Sequence, residues 1–169
     1  MDEASKQILA ADHLCAGAAS PADLERGRAL GLPDDVLAFY AFSGGAYLHA
    51  VSEGESSFEC DGRSWMWRIR PLAEVRSVVE EYELRRKDSP LFELLERWLV
   101  LVDVGDGNCL AIDTAPAHRG EVIDGFHETI GAPGENTVIA LSFSEALRDL
   151  LRAPVAYWLE EERQEYRVI

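Results

Sequence analysis

Long apolar runs are missing from this chain. The run Trp98-Leu99-Val100-Leu101-Val102 has the length of a buried strand, and no run approaches the roughly 18 residues that span a bilayer. A basic leader is missing too. The stretch MDEASKQILAADHLCAGAAS opens on two acids and is broken by Asp12 and His13, so it lacks the basic start and apolar centre of a secretory signal. Cysteine is sparse: Cys15, Cys60 and Cys109 are odd in number and show no C-x-x-C spacing, which argues for a reducing compartment and against a zinc cluster. We therefore expect a cytoplasmic protein with no disulfide, no structural metal and no cofactor. Lysine is confined to Lys6 and Lys87, a bias that carries no mechanism.

Positive charge is the largest deficit. The chain has 16 Lys and Arg against 31 Asp and Glu, a formal net charge of −15. A surface so acidic repels nucleic acid and anionic membranes alike, so a charged partner is expected to be basic. The excess is uneven: between Asp103 and Glu145 the acids Asp103, Asp106, Asp113, Glu121, Asp124, Glu128, Glu135 and Glu145 face Arg119 alone. For most acidic proteins such a segment is a solvated face that keeps the chain soluble.

What is present suits a folded protein. With 47% apolar and 28% charged residues over 169 positions, the chain is expected to form one domain, 1–169, that needs no covalent staple. In SPADLERGRALG, Ser20 is a candidate N-cap, Pro21 a first helical residue and Gly31 a stop. A second helix is expected in LPDDVLAFYAFSGG, with Val36, Leu37, Phe39, Tyr40 and Phe42 on its apolar side. AYLHAV, SSFEC and WMWRIR read as strands, the last with Trp65, Trp67 and Ile69 at period two. Leu72, Val75, Val78, Val79 and Tyr82 repeat at helical spacing after Pro71, and a shorter helix is expected in SPLFELLER. Ser142 and Glu145 form a capping-box pattern ahead of Ala146, Leu147, Leu150 and Leu151. Pro154 opens a last helical pattern, PVAYWLEEERQEY, with Val155, Trp158 and Leu159 on its core side.

The stretch VLVDVGDGNCLAID admits three readings. A phosphate loop needs backbone N–H groups leading into a helix N-terminus, but CLAID is an apolar strand, and Asp103 and Asp106 would repel the anion. A calcium loop needs ligands at alternate residues and a bidentate glutamate in register, and neither is there. Two strands turning at Gly105–Asn108 need only residues that tolerate positive φ. The hairpin is the reading these residues support.

Catalytic chemistry is thin. His118 and His127, nine residues apart with Glu128 adjacent, are the one candidate metal or acid–base pair, although lone loop histidines are more often surface residues. No serine lies in a G-x-S-x-G elbow, and Trp65 and Trp67 beside Ile69 read as sheet core and rim rather than a ligand platform.

The order of these elements resembles the SUKH superfamily, the Smi and Knr type proteins found as bacterial toxin-immunity proteins and fungal cell-wall regulators. Leu32-Pro33, an aromatic helix and Gly44-Gly45 resemble its LP…GG signature, with Ser43 where asparagine is usual. Ile69, Pro71 and Leu72 match its strand-to-helix step. Gly105, Gly107, Leu110 and Asp113 match its glycine hairpin ending in aspartate, and Gly120 and Val122 match its G-x-V strand. Ser142-Phe143 with Leu147 matches its SFxEFL helix start, although Ala146 replaces the aromatic.

The resemblance implies an α+β fold, a single largely antiparallel sheet with flanking helices, and a non-catalytic protein-binding role. The expectation is an immunity protein that neutralises a basic toxin domain, frequently a nuclease, through an acidic face. The candidate contacts are Asp103, Asp106, Asp113, Glu121, Asp124, Glu128 and Glu135, with Asp113 also a candidate structural residue. The alternatives are a regulatory scaffold of the same family without a toxin, and, weakest, an enzyme acting through His118 and His127.

Overall fold

The computed structural model describes Lys6 and residues 13–51, 57–82, 91–152 and 167–169. Helix α1 spans Pro21–Ala29 and α2 spans Asp34–Phe42. Ser20 caps α1 as expected: its hydroxyl accepts from the Asp23 amide at 3.2 Å while the Asp23 carboxylate reaches back to the Ser20 amide at 3.3 Å. Gly31, at φ +79, then reverses the chain. Helix α2 ends at Ser43, whose buried hydroxyl donates to the Gly45 carbonyl at 2.6 Å. Gly44 follows because a side chain cannot: a Cβ there would stand 2.6 Å from the Gly17 carbonyl oxygen.

Strands β1 (Leu14–Cys15), β2 (Ala46–Val51), β3 (Phe58–Cys60), β4 (Arg63–Ile69), β5 (Arg76–Ser77), β6 (Trp98–Val104), β7 (Cys109–Asp113), β8 (Val122–Gly125), β9 (Thr137–Ala140) and β10 (Arg167–Val168) form one sheet. Its order is β1-β2-β4-β6-β7-β8-β9-β10, with β3 beside β4 and β5 beside β6. Every pairing is antiparallel. With its flanking helices this is the α+β architecture the sequence led us to expect.

Both faces of the sheet are covered. Leu99, Leu101, Leu110 and Ile112 point to the face packed by α1, α2 and α5 (Phe143–Arg152). Trp98, Val100, Cys109 and Ala111 point to the other, beneath α3 (Val78–Glu81), α4 (Phe92–Leu95) and Ile130. A bulge between Val100 and Val102 lets Leu101 and Val102 both join the first face. That is why WLVLV reads as an unbroken apolar run. Burying side chains such as Leu110 or Ile112 contributes about 1.5–3 kcal/mol each, so the central hairpin is held by its two faces more than by its turn.

The single helix expected from Pro71 does not form. Leu72–Glu74 make a 3₁₀ turn, Arg76 and Ser77 pair with Val100 and Leu99, and only then does α3 begin. The reason is the free edge of β6 below Val102, where β4 has already left, since backbone groups on a buried edge need partners. Ser77 and Glu80 restart the helix with a reciprocal capping box, each bond 3.2 Å. The helical spacing came from two separate burials: Leu72 and Val75 enter the first core, Val78 the second. SPLFELLER yields one helical turn, and PVAYWLEEERQEY lies outside the described residues. Helix α5 starts as expected: Ser142 accepts from the Glu145 amide at 3.2 Å, although the Glu145 carboxylate caps Leu141 rather than Ser142. Among the described residues no helix is long and apolar enough to cross a membrane.

Because the atom facing Gly44 is backbone, Gly44→Ala is expected to destabilise the protein by about 1–3 kcal/mol, read as a lower urea midpoint at unchanged slope. Gly107→Ala, where nothing lies within 4 Å of the new Cβ, isolates the cost of positive φ alone and should be milder.

Candidate functional site

Strand register decides which acids meet. Cys109 pairs with Gly125 and Ile112 with Val122, so the β6–β7 turn lies beside residues 126–128 at one end of the sheet. Asp113 lies beside Glu121 at the opposite end, its amide donating to the Glu121 carbonyl at 2.9 Å. The first end, here the tip, is built on Asn108. Its amide N–H donates to Asp106 Oδ1 at 3.0 Å and its Nδ2 to Asp106 Oδ2 at 2.9 Å. Its Oδ1 accepts from the His127 amide at 3.1 Å and lies 2.8 Å from His127 Nδ1. Because Asn108 Nδ2 is committed to a carboxylate, its Oδ1 can only accept, and the imidazole proton therefore resides on Nδ1. Asp106, Glu128 and Glu135 are exposed at this end, and Asp106 is held in one orientation.

The other expected contacts are arranged differently. Asp113 is 0% exposed. Its carboxylate accepts from the Ala115 amide at 2.7 Å and from the Trp98 indole at 3.3 Å, and burial pushes its pKa above the ordinary 3.8. It has no surface to offer a partner, so the structural role is the one it fills. Asp103 is largely buried between Arg70, whose Nε donates to it at 2.7 Å, and Arg68 at 3.4 Å. Glu121 lies at the opposite end, paired with Arg167 at 2.5 Å and His118 at 3.2 Å, and Asp124 is half-buried. The acidic segment is therefore not one face. The sequence pattern missed Asn108, an unremarkable turn residue on paper, and Phe126, whose exposure follows from β8 ending at Gly125.

His118 and His127 do not share a site. They sit at opposite ends of β7 and β8, bonded to Glu121 and Asn108 respectively. Among the described residues no group of three His, Cys, Asp or Glu side chains is placed to hold a metal. A cleft of 260 Å³ near β1 is lined by Leu14, Tyr47, Cys60, Arg68, Ile69 and Pro71 among others, with neither histidine in it. The Cys109 thiol is buried, pushed up to about 12, and so stays protonated and unreactive at neutral pH.

The sheet order, the LP…GG helix exit and the glycine hairpin ending in a buried aspartate define a class, and comparison of the sequence agrees with it. Residues 19–149 match the SMI1 / KNR4 family (SUKH-1), and the chain belongs to that family. It is also similar to the immunity protein YokJ of Bacillus subtilis (strain 168), at 28% identity over 134 residues, covering 78% of this chain and 72% of that protein. The immunity-type proteins of this family are generally non-catalytic.

Two substitutions probe the committed acids. Asn at 113 can accept only one of the two hydrogen bonds that the carboxylate accepts, so Asp113→Asn should cost about 1–3 kcal/mol at neutral pH in a denaturant titration. Glu81 is held below its ordinary 4.5 chiefly by its hydrogen bonds to Arg70. A depressed folded value means that stability is present above 4.5 and is lost as pH falls through the folded value. Glu81→Gln should lower stability at pH 7 and flatten the acid limb below 4.5, whereas an acid limb identical to wild type would contradict the assignment.

Proposed function

We propose that this protein is a cytoplasmic immunity protein that binds and neutralises a basic toxin domain, with the exposed acids of the tip, Asp106, Glu128 and Glu135, meeting the toxin. The observation that carries the reading is kinship with a named immunity protein across most of both chains. The net charge of −15 supports a basic partner and disfavours nucleic acid or an anionic membrane. The physical gain is speed, since opposed potentials raise association to about 10⁸–10⁹ M⁻¹s⁻¹ at low salt and free toxin is harmful for as long as it stays free. A nuclease is the toxin class that suits this charge, because a groove built for phosphates is itself basic. The chain, 1–169, acts as one binding domain with no catalytic step. Asp103, Asp113 and Glu121 serve this function by holding the scaffold.

The test is coexpression with candidate toxin domains from the neighbourhood of this gene. Growth should be restored, the two proteins should copurify, and raising salt from 0.1 to 1 M should slow association as the Debye length falls from about 10 to about 3 Å. Absence of both rescue and copurification would remove the immunity reading in favour of a regulatory scaffold.

A further inference from the structure

Phe126 is 40% exposed, and its two chain neighbours are fixed. Before it, Gly125 is drawn against β7 so closely that a Cβ would stand 2.5 Å from Cys109 Sγ and 2.9 Å from the Cys109 carbonyl oxygen. After it, His127 is tied to Asn108 through both its amide and its ring. The Phe126 carbonyl accepts from the amides of Thr129 at 3.0 Å and Ile130 at 2.8 Å, and Ile130 packs into the second core. The Phe126 ring lies against the His127 imidazole with centroids 5.2 Å apart and planes inclined by 54°. An apolar ring at a loop tip is ordinarily free to fold back onto the surface. Here the backbone on both sides is fixed, and the ring is part exposed with a ring contact on His127.

The same hydrogen-bond chain that fixes His127 also fixes Asp106, and Glu128 follows directly. An exposed aromatic side chain on a fixed backbone, flanked by acids, suits a tight interface with a basic surface. The ring loses little conformational entropy on docking, and the surrounding charges steer the encounter without having to be buried. Phe42, Leu141 and Val168 are also exposed, but none of them is tied into the Asp106–Asn108–His127 chain.

We infer that Phe126 is the anchor of the partner interface: its ring enters an apolar pocket on a basic protein while Asp106 and Glu128 meet arginine or lysine side chains around that pocket. This rests on the immunity reading and adds the point of contact to it. The two kinds of residue act on different rate constants. The acids set association through the long-range field, and the ring sets dissociation through short-range burial.

The experiment uses the full chain and an inactivated form of the candidate toxin domain used for coexpression, with association and dissociation rates measured at low and high salt. Phe126→Ala should speed dissociation at least about tenfold and leave association within about twofold. Asp106→Lys with Glu128→Lys should slow association about tenfold at low salt, an effect that fades as salt rises. Glu25→Lys with Asp34→Lys, exposed sites on α1 and at the start of α2, makes the same change in net charge away from the tip and should behave as wild type. Thermal melts verify that each variant is folded. Wild-type binding with Phe126→Ala unchanged would overturn the anchor and leave the immunity reading standing. Equal slowing by both charge pairs would overturn the local interface in favour of a general field. No binding by the wild-type protein would overturn both the anchor and the reading it rests on.

Discussion

Arg70 is 8% exposed, so its charge has to be matched, and the residue as a whole is held by three elements. Its Nε donates to Asp103 in β6 at 2.7 Å, and its two terminal nitrogens donate to the Glu81 carboxylate in α3, each at 2.8 Å. Its amide donates to the Leu101 carbonyl at 2.9 Å, and its own carbonyl accepts the Tyr40 hydroxyl of α2 at 2.7 Å. Strand, strand and both helical layers meet at this residue. Removing one partner would leave a charge in a low-dielectric site, and such breaks typically cost about 3–5 kcal/mol, more than most single apolar contacts. The clamp also explains the path of the chain after β4. Arg70 holds the end of the strand on β6 while Leu72 and Val75 drop into the first core, and the chain returns to the same edge as β5.

That arrangement divides the acidic residues by role. Asp103 neutralises the clamp, and Asp113 satisfies an indole and an amide in the second core. Glu121 ties Arg167 of β10 to the turn before β8. None of these charges contributes freely to the outer field. Asp106, Glu128 and Glu135 do, and register alone puts them at one end of the sheet. Stability and exposed charge are thus carried by different carboxylates: the residues of the tip can change while the carboxylates that hold the sheet stay where they are.

Local patterns were legible wherever a short segment determines its own structure. The Ser20 and Ser142 caps, the Gly31 stop, the Leu32-Pro33 to Gly44-Gly45 helix and the hairpin at Gly105–Asn108 all depend on hydrogen bonds or φ values within a few residues. The reading failed where two distant segments compete for the same backbone. Leu72 to Tyr82 has helical spacing, yet the open edge of β6 claimed Arg76 and Ser77 and split the pattern between two cores. Equally, a count of charges cannot distinguish a carboxylate that meets solvent from one that meets Arg70.

By itself the sequence determined the family, the α+β class, the caps and turns, and a strongly negative net charge, because composition, motif order and short-range periodicity carry that information directly. Only the tertiary structure decided which acids are exposed, that His118 and His127 stand at opposite ends of the sheet, and that Phe126 is exposed at the same end as Asp106 and Glu128. The physical reason is that strand register is a relation between residues far apart in the chain. It is set by which faces bury together, and no single segment contains it.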